Sequence, residues 1–233
     1  MRFVKEISME SKPFLNTLHT PTIADVLDGF GVWGVLDPSI VPLNKIEEPI
    51  FGKAYTVRWT AVRKPKNIMN PQPSTWEDVK QFLVPDVNDA KGMIYVAGVD
   101  GGLLRHLALA GGFSATDFSS RGFAGMILGG AIRDAHVVCN LKMPIWGTNF
   151  TPADTQGNFK IAEVGGTCNV GGVLIKSNDF IFADKSGCVV IPAEISEEVI
   201  HAALEIEGRE SELLARIESG ETLWDVVHDL GRI

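Results

Sequence analysis

The residues whose types could do chemistry lie in the stretch 122–134, which reads Gly-Phe-Ala-Gly-Met-Ile-Leu-Gly-Gly-Ala-Ile-Arg-Asp. An apolar strand runs into the glycine pair 129–130 and is followed by two adjacent charges, Arg133 and Asp134, where a helix through residues 137–138 should begin. An arginine in a first helical turn opposes the helix dipole unless an anion or a carboxylate meets it. A local rule broken at the end of a buried strand indicates a site. The structural alternative is an ion pair that ties the strand to the helix.

A second glycine pair begins 22 residues before Arg133, at the predicted start of another helix. Bare backbone amides at such a helix start can hold a carboxylate. The two segments together predict a pocket for a small anionic ligand, with Asp134 as a hard oxygen ligand for Mg²⁺ or Mn²⁺. The residues predicted to bind the ligand are Gly111, Gly112, Phe113, Ser114 and Arg133.

Three further stretches accompany this one: Thr-Ile-Ala-Asp-Val-Leu-Asp at 22–28, Gly-Lys-Ala-Tyr-Thr-Val-Arg at 52–58 and Ala-Asp-Lys-Ser-Gly-Cys-Val-Val-Ile-Pro at 183–192. In this order the chain resembles the family that unites 4-hydroxy-4-methyl-2-oxoglutarate aldolases with the regulator of ribonuclease activity A. The resemblance implies an α/β fold of the layered β/β/α, phosphohistidine-like swivelling-domain kind. It also implies a homotrimer or homohexamer with sites between subunits.

The activity that the resemblance implies is that of a metal-dependent (class II) aldolase, a lyase that cleaves a 4-hydroxy-2-oxo acid to pyruvate and a second oxo acid. Oxaloacetate decarboxylation is implied as a side activity. Arg133 would be the catalytic residue that binds the pyruvoyl part of the 2-oxo acid substrate, and Asp134 would hold the metal. Both reactions pass through pyruvate enolate, whose negative charge a metal ion and a guanidinium can stabilise. The alternative within the family is a non-catalytic ring-forming regulator that binds a ribonuclease, and the fold does not distinguish the two.

The sequence lacks a carboxylate that the aldolase pattern provides. Aldolase members commonly carry a carboxylate 21 residues before the arginine, where this chain has Gly112. Members with glycine there tend to place acids three or four residues after the Arg-Asp pair, where this chain has Val137 and Val138. The missing carboxylate, which would orient water and relay a proton, predicts inefficient aldol cleavage. The candidates to replace it are His136, Asp117, Asp154 and an acid of segment 194–198 from a partner subunit.

The helices and strands that must position these residues can be predicted from hydrophobic periodicity and from the positions of glycine-rich turns. Thr20 is the predicted N-cap of a helix that has Pro21 at its first helical position and ends near residue 29 or 31. A strand is predicted over 54–62, and a long surface excursion with one short helix over 63–91. From residue 92 onward the pattern predicts strand, glycine turn and helix, twice in succession, with strands at 93–97 and 124–128. Further strands are predicted at 145–146, 161–164, 173–175, 180–182 and 188–191.

After the last predicted strand, a long amphipathic helix is predicted over 193–218. Its buried side is predicted to comprise Ile195, Val199, Ala203, Leu204, Leu213, Leu214 and Ile217. We predict one domain over 1–233, with a core at about 15–192 and an acidic helical segment at 193–233.

Composition excludes several classes of protein. With 233 residues and 45% hydrophobic residues, the chain can bury a sizeable core. A net charge of −8 argues against a nucleic-acid partner. The segment 193–233 holds eleven acidic and three basic residues and therefore carries this whole net charge, which we interpret as a solvated helix face.

Cellular location is predicted from cysteine usage and from apolar runs. The three cysteines are odd in number and form no Cys-x-x-Cys pair, which favours free thiols in the cytoplasm. Residues 1–10 lack the apolar stretch of a signal peptide, and no run approaches 18 apolar residues, so no membrane span is expected. No phosphate-loop or dinucleotide-loop spacing is present, so we expect no nucleotide cofactor.

Overall fold

Twelve strands and five α-helices follow one another within residues 16–62 and 80–230, the part of the chain that the computed structural model describes. The strands are β1 (Val41–Pro42), β2 (Ile50–Ala61), β3 (Met93–Val99), β4 (Leu104–Ala110), β5 (Gly125–Leu128), β6 (Gly130–Ile132), β7 (Ile145–Gly147), β8 (Phe159–Val164), β9 (Thr167–Val170), β10 (Val173–Lys176), β11 (Phe180–Ala183) and β12 (Cys188–Ile191). The α-helices are α1 (Thr20–Gly29), α2 (Gly112–Ser120), α3 (Ala135–Val138), α4 (Ser196–Glu218) and α5 (Leu223–Leu230). Two short 3-10 helices cover Lys80–Leu83 and Ala193–Ile195.

The main sheet has the strand order β1-β7-β5-β3-β2-β11-β12, and β8 also pairs with β2. Strands β2, β3, β5 and β7 run parallel, whereas β1, β8, β11 and β12 join antiparallel. Strand β2 is long enough to pair with β11 near its start and with β8 near its end. The remaining strands form two separate pairs, β4 with β6 and β9 with β10.

The central strands are buried on both faces. In β3, Tyr95 and Ala97 point into a core shared with α2, β4 and β6, while Ile94 and Val96 point into a second core shared with β9 and β10. Parallel strands covered on both faces read as continuous apolar runs, which is why 93–97 and 124–128 were recognisable from sequence. The mixed α/β class is thereby confirmed, while the swivelling-domain assignment stays a prediction.

Helices α1 and α4 cover strands β11 and β12 through a third core. The predicted N-cap of α1 is wrong by one residue, because His19 is the N-cap and Thr20 is the first helical residue. The Thr20 backbone N–H and hydroxyl donate to the buried Asp184 carboxylate at 2.9 and 2.8 Å. This contact across 164 residues replaces the local capping bond that the sequence suggested.

The prediction that the acidic residues of segment 193–233 lie on a solvated helix face is confirmed only in part. Nine of the eleven acids are exposed, but Glu207 on α4 is buried. Its Oε1 accepts hydrogen bonds from Thr22 Oγ1 at 2.6 Å and from the His19 backbone N–H at 3.1 Å, and it lies 3.0 Å from His19 Nδ1. Glu207 therefore ties α4 to the N-terminal turn of α1, where unpaired amides favour a negative charge. Leu214, predicted to be buried, is 58% exposed.

The predicted succession of strand and helix after residue 92 is observed twice, as β3 with α2 and as β5 with α3, but each time an unpredicted strand lies between the two. These inserted strands are β4, which follows the turn at 100–102, and β6; β1 and β9 were not predicted either. Strands β4 and β6 pair with each other across about 20 residues of chain, a long-range pairing that local periodicity does not encode. Of the excursion 63–91, the short helix is observed at Lys80–Leu83. Residues 63–79, and the segment 1–10 considered as a leader, lie outside the described residues.

Within residues 16–62 and 80–230, no helix is both long and apolar enough to cross a bilayer.

Candidate active site

The two predicted site segments meet because their strands are paired. Strand β4 ends at Ala110 and strand β6 at Ile132, and these two residues are partners in the parallel pair. Parallel strands present their carboxyl ends at the same edge, so Gly111 and Arg133 follow side by side. The Arg133 backbone N–H donates to the Ala110 carbonyl at 3.1 Å.

Gly111 lies directly against the charged pair. A Cβ atom at this position would stand 2.8 Å from Asp134 Oδ2 and 2.9 Å from Arg133 Cγ. The φ of Gly111 is −145°, which any residue can adopt. Glycine is therefore required here by lack of space next to Arg133 and Asp134.

The first amides of α2 bind acceptors of the chain itself. Gly112 N–H donates to Asp134 Oδ2 at 2.8 Å, and Gly111 N–H donates to Ser114 Oγ at 3.0 Å. The glycine amides were predicted to hold a substrate carboxylate, but the structure places the Asp134 carboxylate on one and the Ser114 hydroxyl on the other. Phe113 lies in the same turn with 90% of its surface exposed.

Asp134 has a left-handed backbone, with φ 61° and ψ 49°, and is the N-cap of the four-residue helix α3. A non-glycine residue in this region is uncommon, and such strained positions cluster at functional sites. Arg133 precedes the N-cap, so the prediction that it lies in a first helical turn is wrong. The strain at this corner is in the Asp134 backbone and not in an unfavourable helix dipole.

The guanidinium of Arg133 contacts two carboxylates. Its Nε lies 3.5 Å from Asp134 Oδ2, and its Nη1 donates to Asp154 Oδ2 at 2.8 Å. The side chain of Arg133 is 37% exposed, that of Asp134 is 30% exposed and that of Asp154 is 32% exposed. One positive and two negative charges give the cluster a net charge of −1, which by itself disfavours a dianionic ligand. A bound divalent cation would make the same cluster positive.

The candidates for the missing acid within this chain differ in their contacts. Asp117 pairs with Arg121 one helical turn away, at 3.0 Å between Oδ2 and Nη2. His136 is exposed, and its backbone carbonyl accepts a hydrogen bond from Asn140. Asp154 reaches the site but binds Arg133. The contact between Asp154 and Arg133 could not be deduced from their spacing of 21 residues.

Gly112 and Val137 are neighbours in space. A Cβ atom on Gly112 would lie 2.9 Å from Val137 Cβ and 3.1 Å from both of its methyl groups. Gly112 and one of the two later positions singled out by the sequence analysis therefore adjoin, and the half-buried Val137 side chain fills the space beside Gly112.

The donor set fits a metal bound through one protein ligand. No group of three His, Cys, Asp or Glu side chains that could hold a metal occurs among the described residues. Mg²⁺ commonly retains several waters and binds proteins through one or two carboxylates together with substrate oxygens. A carboxylate offers about four lone-pair sites, so Asp134 can accept from Gly112 and still contribute an oxygen to a metal.

The fold and site define an α/β protein with an Arg-Asp pair at the carboxyl ends of two paired parallel strands. A family model described as RraA-like, Aldolase/RraA, matches residues 20–190, and the chain belongs to this RraA-like family.

Relatives within the family carry different descriptions. The chain is 28% identical over 210 residues to the uncharacterized protein MJ0644 of Methanocaldococcus jannaschii, covering 88% of this chain and 93% of that protein. It is 30% identical over 189 residues to a Halalkalibacterium halodurans protein provisionally named a 4-hydroxy-4-methyl-2-oxoglutarate aldolase, covering 80% and 79% of the two chains.

A solved structure shows the same fold. Streptomyces coelicolor RraAS2, described as an unusual member of the RNase ES inhibitor RraA protein family, superposes with a TM-score of 0.70 at 24% identity, covering 87% of this chain and 95% of that chain. At this identity the likeness concerns the fold alone.

Proposed function

We propose that the protein is a divalent-metal-dependent carbon–carbon lyase that acts on a small 2-oxo acid. It would cleave a 4-hydroxy-2-oxo acid to pyruvate and a second oxo acid, decarboxylate oxaloacetate, or do both. The observation that carries the proposal is the placement of Arg133 and Asp134 beside the Gly112 amide at the ends of β4 and β6. The name of the Halalkalibacterium halodurans relative supports the same chemistry.

In this mechanism Arg133 binds the pyruvoyl part of the substrate and stabilises the negative charge that develops on its 2-oxo oxygen. Asp134 would hold Mg²⁺ or Mn²⁺, and the ion, when bound, supplies Lewis-acid polarisation of that oxygen. The Gly112 N–H fixes the Asp134 carboxylate at 2.8 Å. Charge also supports the proposed metal, because an anionic substrate meets a cluster of net charge −1 unless a cation is present.

The two reactions place different demands on the site. Aldol cleavage requires a base that removes the proton of the 4-hydroxyl group, so that this oxygen forms the new carbonyl while the electrons of the broken carbon–carbon bond pass to the enolate. In decarboxylation the carboxylate is already deprotonated, so it leaves as carbon dioxide and the bond electrons pass to the enolate without a base. The position for that base holds Val137 against Gly112. We therefore propose that oxaloacetate decarboxylation is the faster of the two reactions in this protein.

The test is pyruvate release from oxaloacetate and from 4-hydroxy-4-methyl-2-oxoglutarate, with Mg²⁺, with Mn²⁺ and after chelation. Solutions of each metal without protein provide the blank. Asp134→Asn should lower the metal-dependent rate by about 100-fold or more. Asp117→Asn serves as a control, since Asp117 pairs with Arg121. Turnover that is indifferent both to the metal and to Asp134→Asn would refute the proposal.

The second candidate is the ring-forming regulator that binds a ribonuclease. It is favoured by Val137, which occupies the space that the aldolase pattern gives to an acid. Absence of turnover together with a stable, stoichiometric complex with a purified ribonuclease would establish it in place of the lyase.

Assembly and location belong to the same proposal. We expect a homotrimer or homohexamer with its sites between subunits, which light scattering coupled to size-exclusion chromatography would measure. A cytoplasmic location is supported by Cys139, Cys168 and Cys188, all of which are free thiols.

A further inference from the structure

Asp154 approaches the proposed site from a segment that the family pattern does not mark. We propose that Asp154 is a positioning residue, which sets the orientation of the Arg133 guanidinium toward the substrate. The inference rests on the proposed function, because it assigns Arg133 to the substrate.

Both carboxylate oxygens of Asp154 are engaged. Oδ2 accepts from Arg133 Nη1 at 2.8 Å, whereas Oδ1 accepts from the Thr155 hydroxyl and from the Gln156 backbone N–H, each at 3.3 Å. A charge-assisted bond of this length is among the stronger hydrogen bonds in proteins. The carboxylate is thus held by its own segment while it holds the guanidinium.

The segment that carries Asp154 is anchored to the same strand as the rest of the site. Ala108 on β4 donates its N–H to the Ala153 carbonyl at 2.8 Å, and Ala108 also forms an isolated parallel bridge with Asp154. Thr155, the next residue, is buried. Since β4 ends at the glycine pair of the site, Asp154 and Gly111 are positioned by one strand.

Two of the three Arg133 nitrogens consequently face carboxylates, and one of these two is hydrogen-bonded. Asp134 lies 3.5 Å from Nε, and Asp154 binds Nη1. We assign Nη2, with its two N–H donors, to the substrate carboxylate or 2-oxo oxygen. A guanidinium fixed in this way loses less rotational freedom when the substrate binds, and misplacement of such a group by about 1 Å can cost about 100-fold in rate.

The contact differs from an ordinary surface ion pair. Asp117 and Arg121 form a pair of similar exposure, but within a single helical turn. Their side chains are 38% and 25% exposed, respectively. The side chains of Asp154 and Arg133 are 32% and 37% exposed. Asp154 and Arg133 lie on separate segments that β4 and β6 bring together. Asp117→Asn is therefore a matched control for the loss of an Asp–Arg pair away from the site.

The experiment compares wild type, Asp154→Ala, Asp154→Asn and Asp117→Asn. It measures kcat, KM and the pH–rate profile for oxaloacetate with Mg²⁺, calorimetric binding of oxalate with Mg²⁺, and the melting temperature. Asp154→Ala should lower kcat/KM by about 10-fold to 100-fold and weaken oxalate binding, with both kcat and KM affected. Asp154→Asn keeps an acceptor oxygen and should stay within about fivefold of wild type with an unchanged pH profile. Asp117→Asn should match wild type in turnover.

Three results would overturn the inference. Loss of one limb of the pH profile in Asp154→Asn would make Asp154 a proton carrier instead. A lower KM in Asp154→Ala with kcat unchanged would mean that Asp154 competes with the substrate for Arg133. Wild-type rates and oxalate affinity in Asp154→Ala would mean that the contact has no role.

The oxalate measurement separates this inference from the proposed function. A wild type that binds oxalate without any turnover, and whose binding weakens in Asp154→Ala, would refute the lyase and support the positioning role. A wild type that neither binds oxalate nor turns over oxaloacetate would refute both.

Discussion

Substitution of Val137 by aspartate should restore the acid that this chain lacks. Val137 Cβ already lies 2.9 Å from the point where a Gly112 Cβ would stand. The substitution Val137→Asp therefore brings a carboxylate to the Gly112 side of the pocket without adding an atom to the tightest contact. The reverse design, Gly112→Asp, would force a Cβ against the Val137 side chain.

The expected effects can be bounded from the structure. Val137 is half-buried, so loss of its methyl groups should cost about 1 kcal/mol of the free energy of unfolding. A positioned general base contributes about 10²-fold to 10⁴-fold to a rate. Because the new carboxylate lacks supporting hydrogen bonds, we expect about a tenfold rise in kcat for cleavage of 4-hydroxy-4-methyl-2-oxoglutarate. Decarboxylation of oxaloacetate should change little, since no hydroxyl proton is removed.

The assay measures pyruvate formation from both substrates with Mg²⁺, and urea unfolding for stability. Val137→Asn is the matched control, because it has nearly the same size and polarity as Val137→Asp but cannot accept the proton as a carboxylate does. Equal aldol rates in the aspartate and asparagine variants would refute the assignment of this position to the missing acid. An equal rise for both substrates would show that the gain does not come from proton removal.

Three further outcomes are expected. Gly111→Ala should lower turnover about tenfold or more by displacing the Arg-Asp pair, whereas Gly29→Ala, whose Cβ would meet no atom within 4 Å, should leave turnover unchanged. Glu207→Ala should lower the free energy of unfolding by about 2 kcal/mol, measured in urea, because it leaves the buried Thr22 hydroxyl and the His19 backbone N–H without their acceptor. Burial raises the pKa of the Cys168 thiol to about 12 and that of Cys188 well above its ordinary value. Because the unfolded thiols ionise first, stability should fall above about pH 9, by up to about 1.4 kcal/mol per pH unit and thiol, and Cys168→Ala should reduce that slope.

Much of the fold follows from local patterns in the sequence. The strands β3 and β5 were predicted because both faces are buried, so their runs are continuously apolar. Helices α1 and α4 were predicted from a proline start and from amphipathic periodicity. Strand β6 was not predicted, since the glycine pair 129–130 was interpreted as the turn that ends the preceding strand, whereas Gly130 is the first residue of β6.

The sequence analysis placed the two candidate site segments together, and the structure confirms that they adjoin, but their contacts were not predicted. The Arg-Asp pair after a glycine pair indicated where a ligand would bind. The pairing of β4 with β6 then determined that Gly112 binds Asp134, and that Gly112 and Val137 adjoin. These contacts depend on strand register, which is set by packing between segments distant in the chain.

The sequence by itself determined the family, the α/β class and the residues around which the chemistry is proposed, because each of these depends on short motifs and local periodicity. Only the tertiary structure decided that Asp154 holds Arg133 and that Glu207 is buried against α1. Each of these pairs joins side chains on separate elements. A contact of this kind exists only after strands and helices have packed, because its geometry is fixed by the fold and not by the residues next to it in the chain.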